Sequence, residues 1–134
     1  MRKDIEIPVV TEIAVAIVLE KNELEIEEWN AYIINMKNKL IEGVLVSSRG
    51  YGQLDNEIRK TSELRHFLDE MEPKSFKKIE PIMEDVFGLN NEYWVSFYLE
   101  NKMFDKKFIF LAETIRKENL VQIPIINKKG ILIA

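Results

Sequence analysis

The sequence predicts an all-β domain built as an antiparallel sandwich, on three observations. Seven of the chain's 13 aromatic residues lie between residues 92 and 113 (EYWVSFYLENKMFDKKFIFLAE), and rings bury more area per residue than other side chains. Within that stretch Tyr93, Val95, Phe97 and Leu99 share one parity and Trp94, Ser96 and Tyr98 the other, the period of a strand with one buried face. Short runs of β-branched and aromatic residues also recur at close spacing along the rest of the chain.

Residues 13 to 19 (IAVAIVL) are apolar on both parities, which marks a strand covered on both faces. Residues 22 to 28 are acidic and read as a solvated connection. Residues 29 to 36 (WNAYIINM) admit two readings. Ile26, Trp29, Ile33, Met36 and Leu40 step by 3 and 4 as on a helix face, with Gly43 at a capping position. Against that, Trp29, Tyr32, Ile33 and Ile34 favour sheet, and Asn35 with Asn38 mark a turn. The strand is preferred; a helix here would make the domain α+β. Residues 43 to 48 (GVLVSS) follow as a strand that ends in a glycine-bearing loop, Arg49, Gly50, Tyr51 and Gly52.

Residues 57 to 71 fit helix or strand; as a strand, Ser62, Leu64, His66 and Leu68 share a face, and Pro73 stops either form. Residues 75 to 80 make the next strand and residues 88 to 91 a turn. The central hairpin comes next, with Asn101 and Lys102 as its two-residue turn. Beyond it lie a charged turn (Arg116, Lys117, Glu118) and the apolar segments 121 to 126 and 131 to 133. IEIPVV at 5 to 10 echoes VQIPII at 121 to 126. Proline removes a ladder donor, so both belong at sheet edges or in extended arms. Residues 1 to 134 thus form a single domain, with 1 to 12 an N-terminal arm and 114 to 134 a C-terminal extension. The seven strands, at 13 to 19, 29 to 36, 43 to 48, 62 to 68, 75 to 80, 92 to 100 and 103 to 112, have the number and spacing of an immunoglobulin-like or fibronectin-like sandwich.

Composition narrows the function. The 134 residues are one domain's worth and bury enough surface to need no staple. Without cysteine there are no disulfides, thiolate metal sites or cysteine nucleophiles, and one histidine leaves no histidine-rich metal site. The net charge of -4 and pI near 5.2 oppose general attraction to nucleic acid or anionic membrane. The longest early apolar run is seven residues, too short to span a membrane, and no signal-peptide cleavage pattern accompanies it. A cytoplasmic protein without cofactor or metal is expected.

Five phrases, RKDIEIP at 2 to 8, WNAYIIN at 29 to 35, VLVSSRGYG at 44 to 52, KTSELRH at 60 to 66 and FDKKFIF at 104 to 110, resemble a family of small uncharacterised bacterial proteins over nearly the whole chain. Some members of that family carry a phenylalanyl-tRNA synthetase alpha-subunit label. This chain is far too short for that catalytic domain and has no motif for ATP or an adenylate. The resemblance therefore implies no activity and supplies no functional residues, though it raises an accessory role in translation as one reading.

Candidate chemistry is sparse. The loop at 47 to 52 (SSRGYG) could offer backbone N–H groups and Arg49 to an anion, but it lacks the Lys-Ser/Thr of a phosphate loop and the third glycine of a dinucleotide fingerprint. Arg59, Lys60, Arg65 and His66 form a modest basic cluster diluted by Glu57 and Glu63, with only Tyr51 and Phe67 as nearby rings for nucleic acid. His66 as a base with Ser62 fails on distance, because two strand steps separate them by roughly 13 Å; an edge histidine making an ordinary hydrogen bond is the simpler reading. Glu25, Glu27, Glu28, Glu84 and Asp85 lack the alternation of a calcium loop.

The expected function is a non-enzymatic protein-interaction module. With Tyr93, Val95, Phe97 and Leu99 inward, Trp94 and Tyr98 point out, and together with the doubly apolar strand and an apolar tail they supply more hydrophobic surface than one sandwich needs. Either the tail covers the second face or another copy of the chain does. The partner expected is a second copy or another protein. The rival is a small-ligand or anion site at a loop end formed by Arg49, Tyr51, Arg65 and His66, which requires those side chains to converge.

Overall fold

A computed structural model describes residues 9 to 134 and contains ten strands among them: β1 (Ile13–Lys21), β2 (Glu27–Asn35), β3 (Ile41–Leu54), β4 (Glu57–Lys60), β5 (Leu64–Met71), β6 (Ser75–Ile82), β7 (Asn90–Leu99), β8 (Lys102–Phe110), β9 (Val121–Gln122) and β10 (Lys129–Ile133). Among the described residues there is no α-helix, only 3-10 turns at Glu84–Val86 and Lys117–Asn119. Most of the predicted N-terminal arm, and most of the IEIPVV echo with it, lies outside the described residues. No helix in them is long and apolar enough to cross a membrane.

The strands form two antiparallel sheets. The first runs β6-β2-β1-β10-β9; the second runs β4-β3-β7-β8, with β5 also paired to β3. The long β3 accommodates both neighbours on one side, β5 along residues 41 to 48 and β4 along residues 51 to 54. The chain passes from the first sheet to the second between β2 and β3, and returns between β5 and β6.

Each of the seven predicted segments overlaps a strand, β4, β9 and β10 bring the number among the described residues to ten, and residues 29 to 35 of the ambiguous segment belong to β2. Its inward side chains Trp29, Ala31 and Ile33 lie on one parity, and β1 pairs with it from Ile13↔Asn35 to Lys21↔Glu27. Gly43 caps no helix. It has φ +56 at an irregularity in β3, where the Tyr98 ring packs 3.3 Å from the place a Cβ would occupy.

Three local expectations are corrected. The hairpin turn is Glu100 and Asn101, one residue earlier than predicted, because Leu99 pairs with Lys102 and both turn residues take positive φ (51 and 65), as a type I′ turn requires. Residues 49 to 52 form strand rather than loop. The chain reverses instead at Asp55 and Asn56, which also have positive φ (54 and 64). Gly50 is needed there for close approach: a Cβ would sit 3.2 Å from the Thr61 methyl and 3.4 Å from Asn91 Oδ1. Finally, residues 57 to 71 form two strands, because β3 continues past the point where residues 61 to 63 shift the return strand from one register to the next.

One core joins the facing sides of the two sheets. Ile13, Val15, Ile17, Trp29 and Ile33 meet Val44, Val46, Tyr93, Val95, Phe97, Phe108 and Phe110 within it. Trp29 sits edge-on to Phe87 within this core, with ring centroids 5.3 Å apart.

The other face of β1 forms a second, smaller cluster. Ala14, Ala16 and Val18 with Ile34 of β2 lie beneath Ile123 and Ile126, which follow β9. The tail therefore covers the outer face of β1, which is why residues 13 to 19 are apolar on both parities. Lys128 fastens it: its Nζ donates to Glu20 Oε1 at 2.6 Å, while Asn30 and Tyr32 donate to Glu20 Oε2. Burial alone would raise the Glu20 carboxyl, but these three hydrogen bonds and the lysine charge outweigh it and hold the group below its ordinary range.

Gly130 lets β10 dock. It pairs with Val18, and a Cβ there would lie 2.6 Å from the Ile17 carbonyl oxygen, a backbone atom that cannot swing aside. Gly130→Ala is therefore expected to cost about 2 kcal/mol by forcing β10 away from β1. Urea denaturation checks this, and an unchanged midpoint would show that the tail does not depend on this close approach.

Candidate functional site

The two predicted groups of site residues fare differently. Arg49, Tyr51, Arg65 and His66 do not converge. Pairing fixes their directions: His66 lies opposite Val46, which faces the core, whereas Arg65 lies opposite Ser47 on the outer face of the second sheet. Arg49 and Tyr51 share that outer parity, two and four residues beyond Ser47 on β3. Both are held by one carboxylate. Arg49 Nε donates to Glu92 Oε2 at 3.1 Å and the Tyr51 hydroxyl to Oε1 at 3.3 Å, with the guanidinium 5.2 Å above the Tyr51 ring. Burial, then the Glu92 charge and this hydrogen bond, push the Tyr51 hydroxyl up, so it remains the donor. In this arrangement the Arg49 charge is neutralised by the protein's own acid.

His66 instead joins an unpredicted cluster centred on Glu80, at the open side between β5 of one sheet and β6 of the other. Oε1 of Glu80 takes the Ser48 hydroxyl and His66 Nε2, each at 2.8 Å, and Oε2 takes the Tyr93 hydroxyl at 3.1 Å. A carboxylate only accepts, so the His66 proton here is on Nε2. Burial, followed by the Glu80 charge and hydrogen bond, drives the Tyr93 hydroxyl far above its ordinary range, and it stays protonated. Ser48 and His66 both address the carboxylate rather than each other, so the imidazole does not activate the hydroxyl as in a nucleophilic triad. The cluster ties β3, β5 and β7 to β6 across the sheets.

Sequence parity concealed Glu80, because in a regular strand it would face opposite to the buried Ile79. The register of β6 against β2 slips between Ala31 and Tyr32, which pair with Glu80 and Lys78 and leave Ile79 as an extra residue. Such a bulge re-aims the next side chain, and Glu80 turns to the core side beside Ile79. Among the described residues no three carboxylate or imidazole groups converge to hold a metal ion.

Trp94 and Tyr98 do point outward, 43% and 47% exposed, and they do not stand alone. Pairing lines up Arg65, Ser47, Trp94 and Lys107 in one row across the second sheet and Phe67, Leu45, Ser96 and Asp105 in the next. Tyr98 and Met103 pair in the row after that. Phe67 and Met103 are 65% and 53% exposed. Ser47 and Ser96 are the small members of this face, and between their larger neighbours they leave a shallow groove of about 290 Å³ bounded by Trp94, Arg65, Leu45, Met103 and Asp105. The indole is fixed in place, its Nε1 donating to Asp105 Oδ2 at 2.8 Å while Lys107 Nζ lies 4.8 Å from the ring centroid. No segment of the described chain covers this face as Ile123 and Ile126 cover the other.

Comparison with models of protein families and with curated proteins finds none that matches this chain.

Proposed function

We propose that the chain is a non-enzymatic interaction module, an immunoglobulin-like or fibronectin-like sandwich that self-associates through the outer face of its second sheet. The strand order supports the fold type. β6-β2-β1 and β5-β3-β7-β8 follow the E-B-A and C′-C-F-G orders of that architecture, with β10 and β9 added beyond β1.

The observation that carries the functional reading is the asymmetry between the two outer faces. One is covered over β1 by the tail, with Phe76 of β6 left part-exposed; the other presents Phe67, Trp94, Tyr98 and Met103 with no covering segment among the described residues. A second copy is the occupant that this face fits. A two-fold contact needs a self-complementary patch, and here the protruding Phe67 stands beside the groove floored by Ser47 and Ser96. Rotation by a half-turn can place the phenylalanine of each copy in the groove of the other. Charges of both signs, Arg65 and Lys107 with Asp105 and Glu42, border the patch and can pair across the same axis.

Light scattering behind a sizing column tests the proposal. The wild-type chain is expected to elute as a dimer at about 100 µM, a concentration at which micromolar affinity saturates. Trp94→Ala should weaken the dimer at least about tenfold, as truncation of a central tryptophan does, and leave far-ultraviolet circular dichroism unchanged. A wild-type monomer at that concentration, or a dimer indifferent to Trp94, would overturn it.

A further inference from the structure

The Glu80 cluster forms the floor of a cleft of about 240 Å³, separate from the self-association face and open between residues 61 to 64 and the end of β6. Its walls are largely apolar, formed by Leu64, Pro81, Ile82, Met83 and Val86. Its polar groups have an uneven hydrogen-bonding balance. The hydroxyl protons of Ser48 and Tyr93 are both spent on Glu80, and the Thr61 hydroxyl is spent on the Ser62 carbonyl. Both Asn91 amide protons go to the carbonyls of Val86 and Leu89.

Acceptors remain. A carboxylate has about four acceptor positions, and Glu80 uses three: two on Oε1 and one on Oε2. Its side chain is 14% exposed, so the fourth position is within reach of a ligand but poorly reached by bulk water. Asp85 adds a second negative charge at the rim. Arg49, the cation on the lining, is committed to Glu92 and the Tyr51 ring on the opposite side of the sheet.

From this balance we infer that the cleft binds a small primary amine in its ammonium form, with the charged head on Glu80 and a short apolar body against Leu64, Pro81 and Ile82. An ammonium supplies three donors and no acceptor, which matches a floor with spare acceptors and few spare protons. An anion would face Glu80 and Asp85 with no free cation beneath it, and a neutral alcohol would gain one hydrogen bond without the charge. The volume lies below the usual range for drug-sized ligands, which limits the body to a short chain.

The test uses the full chain, labelled with ¹⁵N and titrated at pH 7 with the n-hexylammonium ion, hexanol and hexanoate in parallel. Hexylammonium is expected to shift the amide resonances of Gly50, Leu64 and Ile82 in a saturable way below about 20 mM, the affinity range of a small fragment. Hexanol should bind at least about tenfold more weakly and hexanoate not at all, because the charge pairing is lost or reversed. Glu80→Gln, which keeps the shape and removes the charge, should weaken hexylammonium by a similar factor. Equal binding of amine and alcohol, shifts confined to other residues, no saturation below about 20 mM, or undiminished binding by a folded Glu80→Gln protein would each overturn the inference. The comparison of the three probes on the wild-type chain decides it even if Glu80→Gln fails to fold.

Discussion

Phe97→Ala is expected to remove about 3 to 5 kcal/mol of stability, the usual cost of truncating a buried phenylalanine whose surroundings cannot collapse into the space. Phe97 is buried in the core and pairs across the hairpin with Phe104, the two rings stacked with centroids 5.5 Å apart and 10° between planes. Truncation leaves Phe104 without its partner face as well as opening a cavity between the sheets. A domain of this size has roughly 5 to 15 kcal/mol in hand, so the variant should have a strongly lowered urea midpoint, read from the fluorescence of buried Trp29. Tyr98→Ala, one residue along on the exposed parity, supplies the control and should cost far less. Equal losses at the two positions would contradict the assignment of an inner and an outer face to β7.

That alternation was the most legible part of the sequence, and the reason is physical. A strand with one face in the core repeats every two residues, so the spacing alone of Tyr93, Val95 and Phe97 declares the buried side of β7, and that of Trp94 and Tyr98 the exposed one. Residues 13 to 19 were legible for the complementary reason: apolar side chains on both parities required two covers, and the core and the tail supply them. Breaks in the period were not legible. The extra residue at Ile79 reverses the direction of Glu80, so the spacing carried no sign of the acid that gathers Ser48, His66 and Tyr93. Local spacing likewise grouped Arg49, Tyr51, Arg65 and His66, but pairing with β3 sends His66 inward and Arg65 outward. The acid that holds Arg49 and Tyr51 lies 43 and 41 residues away in sequence, and such partners are set by strand order rather than by neighbourhood. The glycines at 50 and 52 read as a loop because their usual role is a turn. At Gly50 the requirement is lack of bulk against Thr61, which follows β4, and Asn91 of β7.

Asn35→Ala should cost about 3 kcal/mol, although it removes no ring and little apolar area. Asn35 is fully buried at the end of β2, where the chain leaves the first sheet for the second. Its Oδ1 accepts the Lys37 N–H at 3.0 Å, and its Nδ2 faces the carbonyls of Lys39 and Glu72 at 3.0 Å each, with that of Met71 at 3.4 Å. Lys39 lies on the crossover from β2 to β3 and Glu72 on the one from β5 to β6, so a single amide joins two of the places where the chain changes sheet. Alanine leaves these buried and part-buried backbone groups without their partner, and an orphan shielded from water costs about 1 to 3 kcal/mol. Aspartate separates the hydrogen bonding from the packing. It keeps an acceptor for Lys37 but turns a negative oxygen toward the carbonyls of Lys39 and Glu72, so Asn35→Asp should be more damaging than Asn35→Ala at pH 7. A protonated carboxyl can donate once, so the gap between the two variants should narrow as the solution is acidified. Urea midpoints for both variants at pH 7 and pH 4 measure this ordering. An alanine variant within about 0.5 kcal/mol of wild type, the range of ordinary surface substitutions, would mean that the crossovers hold together without the amide.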